Sequence, residues 1–88
     1  PKAEAKVIEE KRGVTVSVDR EGAIFIGKRE IEWREFTREL KKELESNPPR
    51  VFLRGDTRTE YGKVMRVLAR IKMIGIEDVG LIAEQEDS

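Results

Sequence analysis

The hydrophobic pattern of this chain changes its period partway along, and this change constrains the fold more than any other feature. Within Val14–Val18, apolar and hydroxyl residues alternate strictly, as in a strand with one buried face. From Trp33 onward, apolar residues recur at spacings of three and four, through Phe36, Leu40 and Leu44. That spacing forms one stripe of an amphipathic helix. The chain therefore combines strands and helices that must cover each other's apolar faces.

The segments on either side of this change predict four strands and two helices. Asp19–Gly22 has the composition of a turn, and the apolar segment Ala23–Ile26 follows it, so we expect a hairpin that ends at Gly27. Two later segments, Arg50–Arg54 and Val79–Ala83, predict the remaining strands. We therefore expect an α+β fold, a two-layer ββαβαβ sandwich in which two helices cover one face of a mixed four-stranded sheet.

The first helix is expected from about Glu32 to Ser46. No Ser, Thr, Asp or Asn caps its start. Its end is marked by Asn47, because Pro48 and Pro49 follow and proline cannot continue a helix.

A capping box predicts the start of the second helix, with Thr57 at the N-cap and Glu60 three residues later. The helix would then begin at about Arg58. Asp56 would lie beside its N-terminus, where the helix dipole favours a carboxylate. Gly75 supplies the C-terminal stop.

Three further residues near this junction receive structural interpretations. Gly55 eases the turn after the strand. Gly62, in the first turn of the helix, costs roughly 1 kcal/mol relative to alanine, so we expect it to permit close approach of another backbone. Tyr61 is expected in the core, with its hydroxyl at the rim. The alternative is that it is an interface residue.

The chain is long enough for one domain. We expect residues 1–13 to be a flexible lead-in, residues 14–84 to fold, and residues 85–88 to form a polar tail. The 18 basic and 18 acidic residues cancel, so net charge gives no support to bulk attraction to nucleic acid or anionic lipid.

Histidine and cysteine are both absent. This excludes disulfides and thiolate chemistry, and it removes the commonest general base and the commonest metal ligand. Glycine-rich phosphate loops and zinc or EF-hand spacings are also missing. We expect no enzymatic activity, no cofactor and no metal.

One stripe of the second helix is basic, with Lys63, Arg66 and Arg70 at spacings of three and four. Such a stripe is able to contact an anionic polymer. The alternative is a solvated helix face that the acidic first helix balances. A small RNA- or anion-binding α+β module that uses this face is the alternative function.

The strand pattern also predicts an apolar patch on the far face of the sheet. If the valines of the first strand face the helices, Phe25 and Phe52 must point away, and Ile82 joins them. With Val7 and Ile8 of the lead-in, these residues are the candidates for a partner or dimer interface. The alternative is that the N-terminal segment or the indole ring of the first helix covers this face.

Taken together, VTVSVDREGAIFIGKREI and VFLRGDTRTEYGKVMRVLARIKMIGIEDVGLIAE resemble the periplasmic domain of the ExbD/TolR family of biopolymer transport proteins. The resemblance covers about Val14 to Glu84, and Gly55 stands where the family usually has a small residue before the aspartate. It is carried by an ordered set of elements: Gly22, Ile26 with Gly27, Arg54 to Asp56, Tyr61 with Gly62, Gly75 with Ile76, and Val79 to Leu81.

The resemblance implies a subunit of a proton-driven motor of the bacterial inner membrane. Members have one transmembrane helix with a proton-coupling aspartate, a linker, and this domain in the periplasm. On this basis the chain begins after the missing helix. The resemblance also implies a homodimer, an ExbB/TolQ-type channel subunit, a TonB/TolA-type protein and, in TolR-type members, peptidoglycan as partners. No nucleic acid is expected.

Overall fold

The computed structural model describes residues 12–84, where strands form a single sheet and two helices pack against it. In chain order the strands before the first helix are β1 (Val14–Val18), β2 (Ile24–Ile26) and β3 (Arg29–Ile31). Helix α1 (Trp33–Leu44), strand β4 (Arg50–Asp56), helix α2 (Tyr61–Ile74) and strand β5 (Asp78–Glu84) follow. The expected α+β class, with one mixed sheet and two helices, is confirmed.

The strand order is β3-β2-β1-β4-β5. Short turns join β1 to β2 and β2 to β3, and both pairs are antiparallel. A helix lies between β3 and β4 and another between β4 and β5, so β4 returns parallel to β1, and β5 returns parallel to β4. The parallel strands β1 and β4 therefore occupy the middle of the sheet and its antiparallel hairpins lie to one side.

Within residues 12–84 the sheet has five strands, so the prediction of four is wrong. The additional strand, β3, pairs with β2 across the two-residue turn of Gly27 and Lys28. Gly27 has φ +61°, as the first position of a tight hairpin turn requires. The sequence suggests that the hairpin ends at this glycine, because the three residues of β3 include a single apolar side chain, Ile31, and show no alternation.

The capping-box prediction is also wrong. Helix α2 begins at Tyr61, and its N-cap is Glu60, with no side-chain capping hydrogen bond. Thr57 is exposed and lies four residues before the helix. Asp56 is the last residue of β4, where its side chain closes a turn instead of facing a helix N-terminus. Local turn chemistry at Asp56 competes with the cap that the spacing suggested.

Both helices pack on the same sheet face, as expected. Val14, Val16 and Val18 are buried on that face, together with Val51 and Leu53 of β4. The helices contribute the buried side chains Phe36, Leu40, Val67 and Ile71. The alternating apolar residues of the strands and the apolar stripes of the helices thus pack together in one core.

Tyr61 does not join this core. It is 75% exposed, so the expectation of a core tyrosine is wrong. At the other end of α2, Gly75 has left-handed φ +109° and its backbone N–H binds the carbonyl of Lys72. Neither helix in residues 12–84 has the length and apolar character of a membrane span.

Val7 and Ile8, like the rest of the lead-in up to residue 11, lie outside the described residues, as does the tail from residue 85. Of the predicted interface residues, Phe25, Phe52 and Ile82 lie within the described part of the chain.

Two leucines test the assignment of core and edge. Leu40 is fully buried between α1 and the sheet, whereas Leu81 on β5 is 59% exposed. Leu40→Ala is expected to lower the free energy of unfolding by about 2–5 kcal/mol, because it removes buried methyl groups and leaves a cavity. Leu81→Ala is expected to lower it by about 0.5 kcal/mol or less. Urea denaturation measures both, and equal losses would contradict the assignment.

Candidate ligand groove and partner face

A groove lies between the β1–β2 hairpin and helix α2. Its volume is about 180 Å³. Glu30, Trp33, Lys63 and Arg66 contribute its polar and aromatic side chains. The rest of the lining is apolar or glycine: Val18, Gly22, Ala23, Ile24, Ile31 and Val67. The groove thus combines an apolar floor, one indole ring, two cations and one carboxylate.

Trp33 organises the cationic side of this groove. Its ring stacks with Phe36 at a centroid distance of 5.6 Å. The guanidinium carbon of Arg66 lies 4.3 Å from the centroid of Trp33, and that of Arg70 lies 4.5 Å from it. At these distances both arginines make cation–π interactions, each worth about 0.5–1 kcal/mol at an exposed site. Trp33 therefore sets the orientation of two arginines on the neighbouring helix.

The basic stripe predicted on α2 is divided by this packing. Lys63 and Arg66 line the groove, whereas Arg70 does not. Arg70 is half-buried, and its Nη1 donates a hydrogen bond to Thr37 Oγ1 at 3.1 Å. Arg70 thus joins α2 to α1, and the groove receives the first two members of the stripe.

Lys63 lies beside the hairpin turn. A Cβ atom at Gly22 would lie 2.8 Å from Lys63 Nζ. The flexible Lys63 side chain could move away from such an atom, but Gly22 also has φ +92°, a left-handed backbone conformation that favours glycine. The turn itself is held by Asp19, whose Oδ1 accepts hydrogen bonds from the backbone N–H groups of Glu21 (3.0 Å) and Ala23 (2.9 Å). Hairpin and helix therefore meet at Lys63.

The opposite face of the sheet carries the predicted apolar residues. Phe25 pairs with Ser17 of β1 and Phe52 pairs with Thr15, positions that alternate with the buried valines. Both phenylalanines are half-buried, and Ile82 is 42% exposed. Trp33 packs on the helix side of the sheet, so it does not cover this face. That half of the alternative interpretation is excluded.

The Phe52 ring lies between two glycines of this face. A Cβ at Gly13 would lie 3.2 Å from Phe52 Cε2, and a Cβ at Gly80 would lie 3.3 Å from Phe52 Cδ1. Gly80 is the partner of Phe52 in the β4–β5 pairing, so the ring covers a gap in the edge strand. The chain also enters β1 in contact with this ring.

A second cavity, of about 260 Å³, lies where β1 and β4 end. Phe25, Arg54, Asp19 and Asp56 line it together with Ser17, Val18 and Gly55. Asp56 Oδ1 accepts a hydrogen bond from the Arg58 backbone N–H at 2.8 Å. This bond, and secondarily the Arg58 guanidinium, lower the pKa of Asp56 below its ordinary value of 3.8. Both aspartates thus bind backbone amides of turns.

A similar shift marks the outer hairpin. Arg29 of β3 donates to Glu39 of α1 at 3.2 Å, and this hydrogen bond lowers the pKa of Glu39. It ties β3 to the helix layer. In the part of the chain that the structure describes, no three acidic side chains come together as a metal site would require.

The remaining glycines differ in what surrounds them. A Cβ at Gly55 would meet Val64 of α2 at 3.5 Å, an ordinary contact distance, so the helix crosses β4 closely there. At Gly62 no atom of the described residues lies within 4 Å of such a Cβ. The close backbone approach expected at Gly62 is therefore absent within residues 12–84.

Sequence reasoning found Lys63 and Arg66 from their spacing, but it did not find Trp33 as their partner. Trp33 lies 33 residues before Arg66, and its spacing in the sequence places it in the core stripe of α1. The signal available in the sequence is that Trp33 is the first residue of the apolar stripe, at the N-terminal end of the expected helix.

These features define a small α+β domain with a partly apolar sheet face and a groove flanked by two cations. The family model for biopolymer transport protein ExbD/TolR matches residues 1–86, and the chain therefore belongs to the ExbD/TolR family. This confirms the resemblance. The family functions in energy transduction for biopolymer transport, and its members are periplasmic proteins anchored to the inner membrane. Among curated protein sequences, no significant match was found.

The turn at Asp56 yields a pH prediction. Because the folded-state pKa is lowered, its stabilisation is present above the ordinary pKa and is lost as pH falls through the folded-state value. Asp56→Asn keeps the Oδ1 acceptor but cannot ionise, so its unfolding free energy should fall less steeply with pH between about 4 and 2 than that of the parent chain. Urea denaturation across this range measures the difference. An NMR titration of the Asp56 carboxyl with a midpoint at or above 3.8 would contradict the assignment.

Proposed function

We propose that this domain is the periplasmic head of a proton-motive-force-driven inner-membrane motor subunit of the ExbD/TolR type. It couples proton flow through an ExbB/TolQ-type channel subunit to a TonB- or TolA-type protein, and it serves transport or envelope integrity. The observation that carries this proposal is the ExbD/TolR family match, which spans every residue of the described fold. Attachment to the inner membrane is through a single membrane-spanning segment.

The domain works by gripping neighbours and performs no bond chemistry. Two observations support this. The chain has neither histidine nor cysteine. The described carboxylates with shifted pKa values, Glu39 and Asp56, are each engaged with an arginine of a hairpin or turn.

The outer sheet face and the β5 edge are the surfaces for self-association and partner contact. Phe25, Phe52 and Ile82 give the face an apolar centre, which favours association. Strand β5 is seven residues long and pairs only with β4 in the described sheet. An edge of this length is able to add a strand from another chain through backbone hydrogen bonds. We propose that the domain forms a homodimer and contacts its TonB/TolA-type partner through these surfaces.

Peptidoglycan is the proposed envelope ligand of the opposite side of the molecule. It is an anionic polymer, and Lys63 and Arg66 flank a groove that is open to solvent. The packing of Arg70 between the helices gives it a smaller part in such contacts than its place in the stripe suggested.

The RNA-binding alternative has less support. The chain has no net charge, and the two arginines of the stripe lie over an indole ring instead of extending along a broad basic surface. Titration with single-stranded RNA separates the two functions, because phosphate-driven binding weakens steeply with salt.

Replacing both outer phenylalanines tests the proposed interface. The double variant Phe25→Ser, Phe52→Ser should raise the dissociation constant of self-association at least about tenfold. Burying one such ring contributes about 1.5–3 kcal/mol, and about 1.4 kcal/mol corresponds to a factor of ten. Sedimentation velocity over a concentration series measures this constant.

Met73→Ser is the matched control, because Met73 is 79% exposed on α2, away from the sheet face. Its dissociation constant should equal that of the parent chain. A double variant that keeps its melting temperature and still associates like the parent would rule out this face as the interface.

A further inference from the structure

We infer that the groove between the β1–β2 hairpin and α2 binds one amino-acid unit bearing a free carboxylate, of the kind that ends a peptidoglycan stem peptide. This deepens the proposed function and rests on its envelope contact. The groove is too small for the whole peptidoglycan polymer, so a single residue with its carboxylate is the part that would bind there.

The first observation is the arrangement of Arg66. Its guanidinium carbon lies over the Trp33 ring, 4.3 Å from the ring centroid, so the cation–π contact restricts where the guanidinium lies at the groove. Arg66 is exposed, and it forms no salt bridge within residues 12–84. A planar guanidinium held in this way is preorganised for bidentate binding of a carboxylate.

The second observation is the position of Lys63, which precedes Arg66 by three residues on the same helix. The closeness of its ammonium group to Gly22, described above, places it in the groove lining next to the β1–β2 hairpin. Within the described residues its acidic neighbour is Glu60, at 4.0 Å, the limit of a salt bridge. Lys63 therefore supplies a second cation that is only weakly neutralised.

The third observation is the size and polarity of the groove. A volume of about 180 Å³ is below the roughly 300 Å³ at which pockets begin to enclose a drug-sized ligand, so it suits one residue of a longer molecule. Val18, Ile31 and Val67 offer an apolar floor for aliphatic carbons. The Glu30 carboxylate, which also lines the groove, would repel a polyanion. It would attract an ammonium group on a ligand that also carries a carboxylate.

This polarity favours the peptide part of peptidoglycan over its sugars. Sugar rings stack on open aromatic faces, but Trp33 is already engaged by two guanidinium groups and by Phe36. A stem-peptide residue offers aliphatic carbons, a carboxylate and, in diamino acids, an ammonium group. The aliphatic carbons would contact the apolar floor, the carboxylate would bind Lys63 and Arg66, and the ammonium group would bind Glu30.

Trp33 is the only tryptophan of the chain, so its fluorescence reports directly on the groove. The probe is a synthetic stem tetrapeptide, L-Ala-γ-D-Glu-meso-diaminopimelate-D-Ala, titrated into the 88-residue protein. We expect a saturable change in Trp33 emission and NMR shifts at the amides of Gly22, Ala23 and Arg66. Binding should weaken with added salt and with amidation of the peptide carboxylates.

Three variants identify the residues responsible. Arg66→Gln should raise the dissociation constant at least about tenfold, and Lys63→Gln should raise it by a smaller factor. Arg66→Lys keeps the positive charge but loses the two parallel N–H donors of the guanidinium, so its dissociation constant should lie between those of the parent and Arg66→Gln. Lys72→Gln, an exposed cation on the same helix outside the groove, is the control and should bind like the parent. If Arg66→Gln does not fold, Lys63→Gln and the amidated peptide provide the test.

Specific outcomes would overturn the inference. They are an absence of peptide binding, equal binding of the amidated peptide, or unchanged binding by Arg66→Gln. Equal affinity for L-Ala-L-Ala-L-Ala would indicate a protein C-terminus as the ligand and would also overturn it. Co-sedimentation with purified peptidoglycan separates this failure from that of the proposed envelope contact: retention of Arg66→Gln on peptidoglycan would leave that contact standing without this site.

Discussion

The parallel pairing of β1 with β4 is the constraint on which the rest of the molecule depends. It places Val14 beside Val51 and Val16 beside Leu53, so the two most apolar strand faces lie side by side under both helices. The same register sends the alternate residues to the other face, where Phe52 lies beside Thr15. A shift of one residue would exchange these faces and remove the core and the outer apolar patch together.

Sequence reasoning succeeded where a pattern is repeated and long-range packing agrees with it. The alternation in β1 and the stripe from Trp33 to Leu44 each contain several matching positions, and both elements occur where expected. It failed at β3 and at the start of α2. Strand β3 has only three residues, which is too few to show a period. At the start of α2, the Asp56 carboxylate accepts a hydrogen bond from the Arg58 backbone N–H, so a turn forms where the Thr57 spacing predicted a helix cap.

Only some of the residues that form the groove could be predicted from the sequence. Helical spacing placed Lys63 and Arg66 on one stripe, because spacing along a helix is local information. Their shared neighbour comes from another helix, and the contact of Arg66 with Trp33 depends on how α1 and α2 cross the sheet. The same tertiary contact diverts Arg70 to Thr37, which no property of the stripe indicates. Trp33 thus decides which cations remain accessible.

The two borders of the sheet are unequal, and this limits how copies of the domain are able to assemble. The β3 border offers three residues, two of which are the charged side chains Arg29 and Glu30, whereas the β5 border offers seven. Two copies that join β5 to β5 around a twofold axis use the same border once each, which closes the assembly at two. A continuing ribbon would need β3 at every second junction. Within residues 12–84, the short, charged β3 border therefore disfavours the strand pairing that open-ended fibre growth would require.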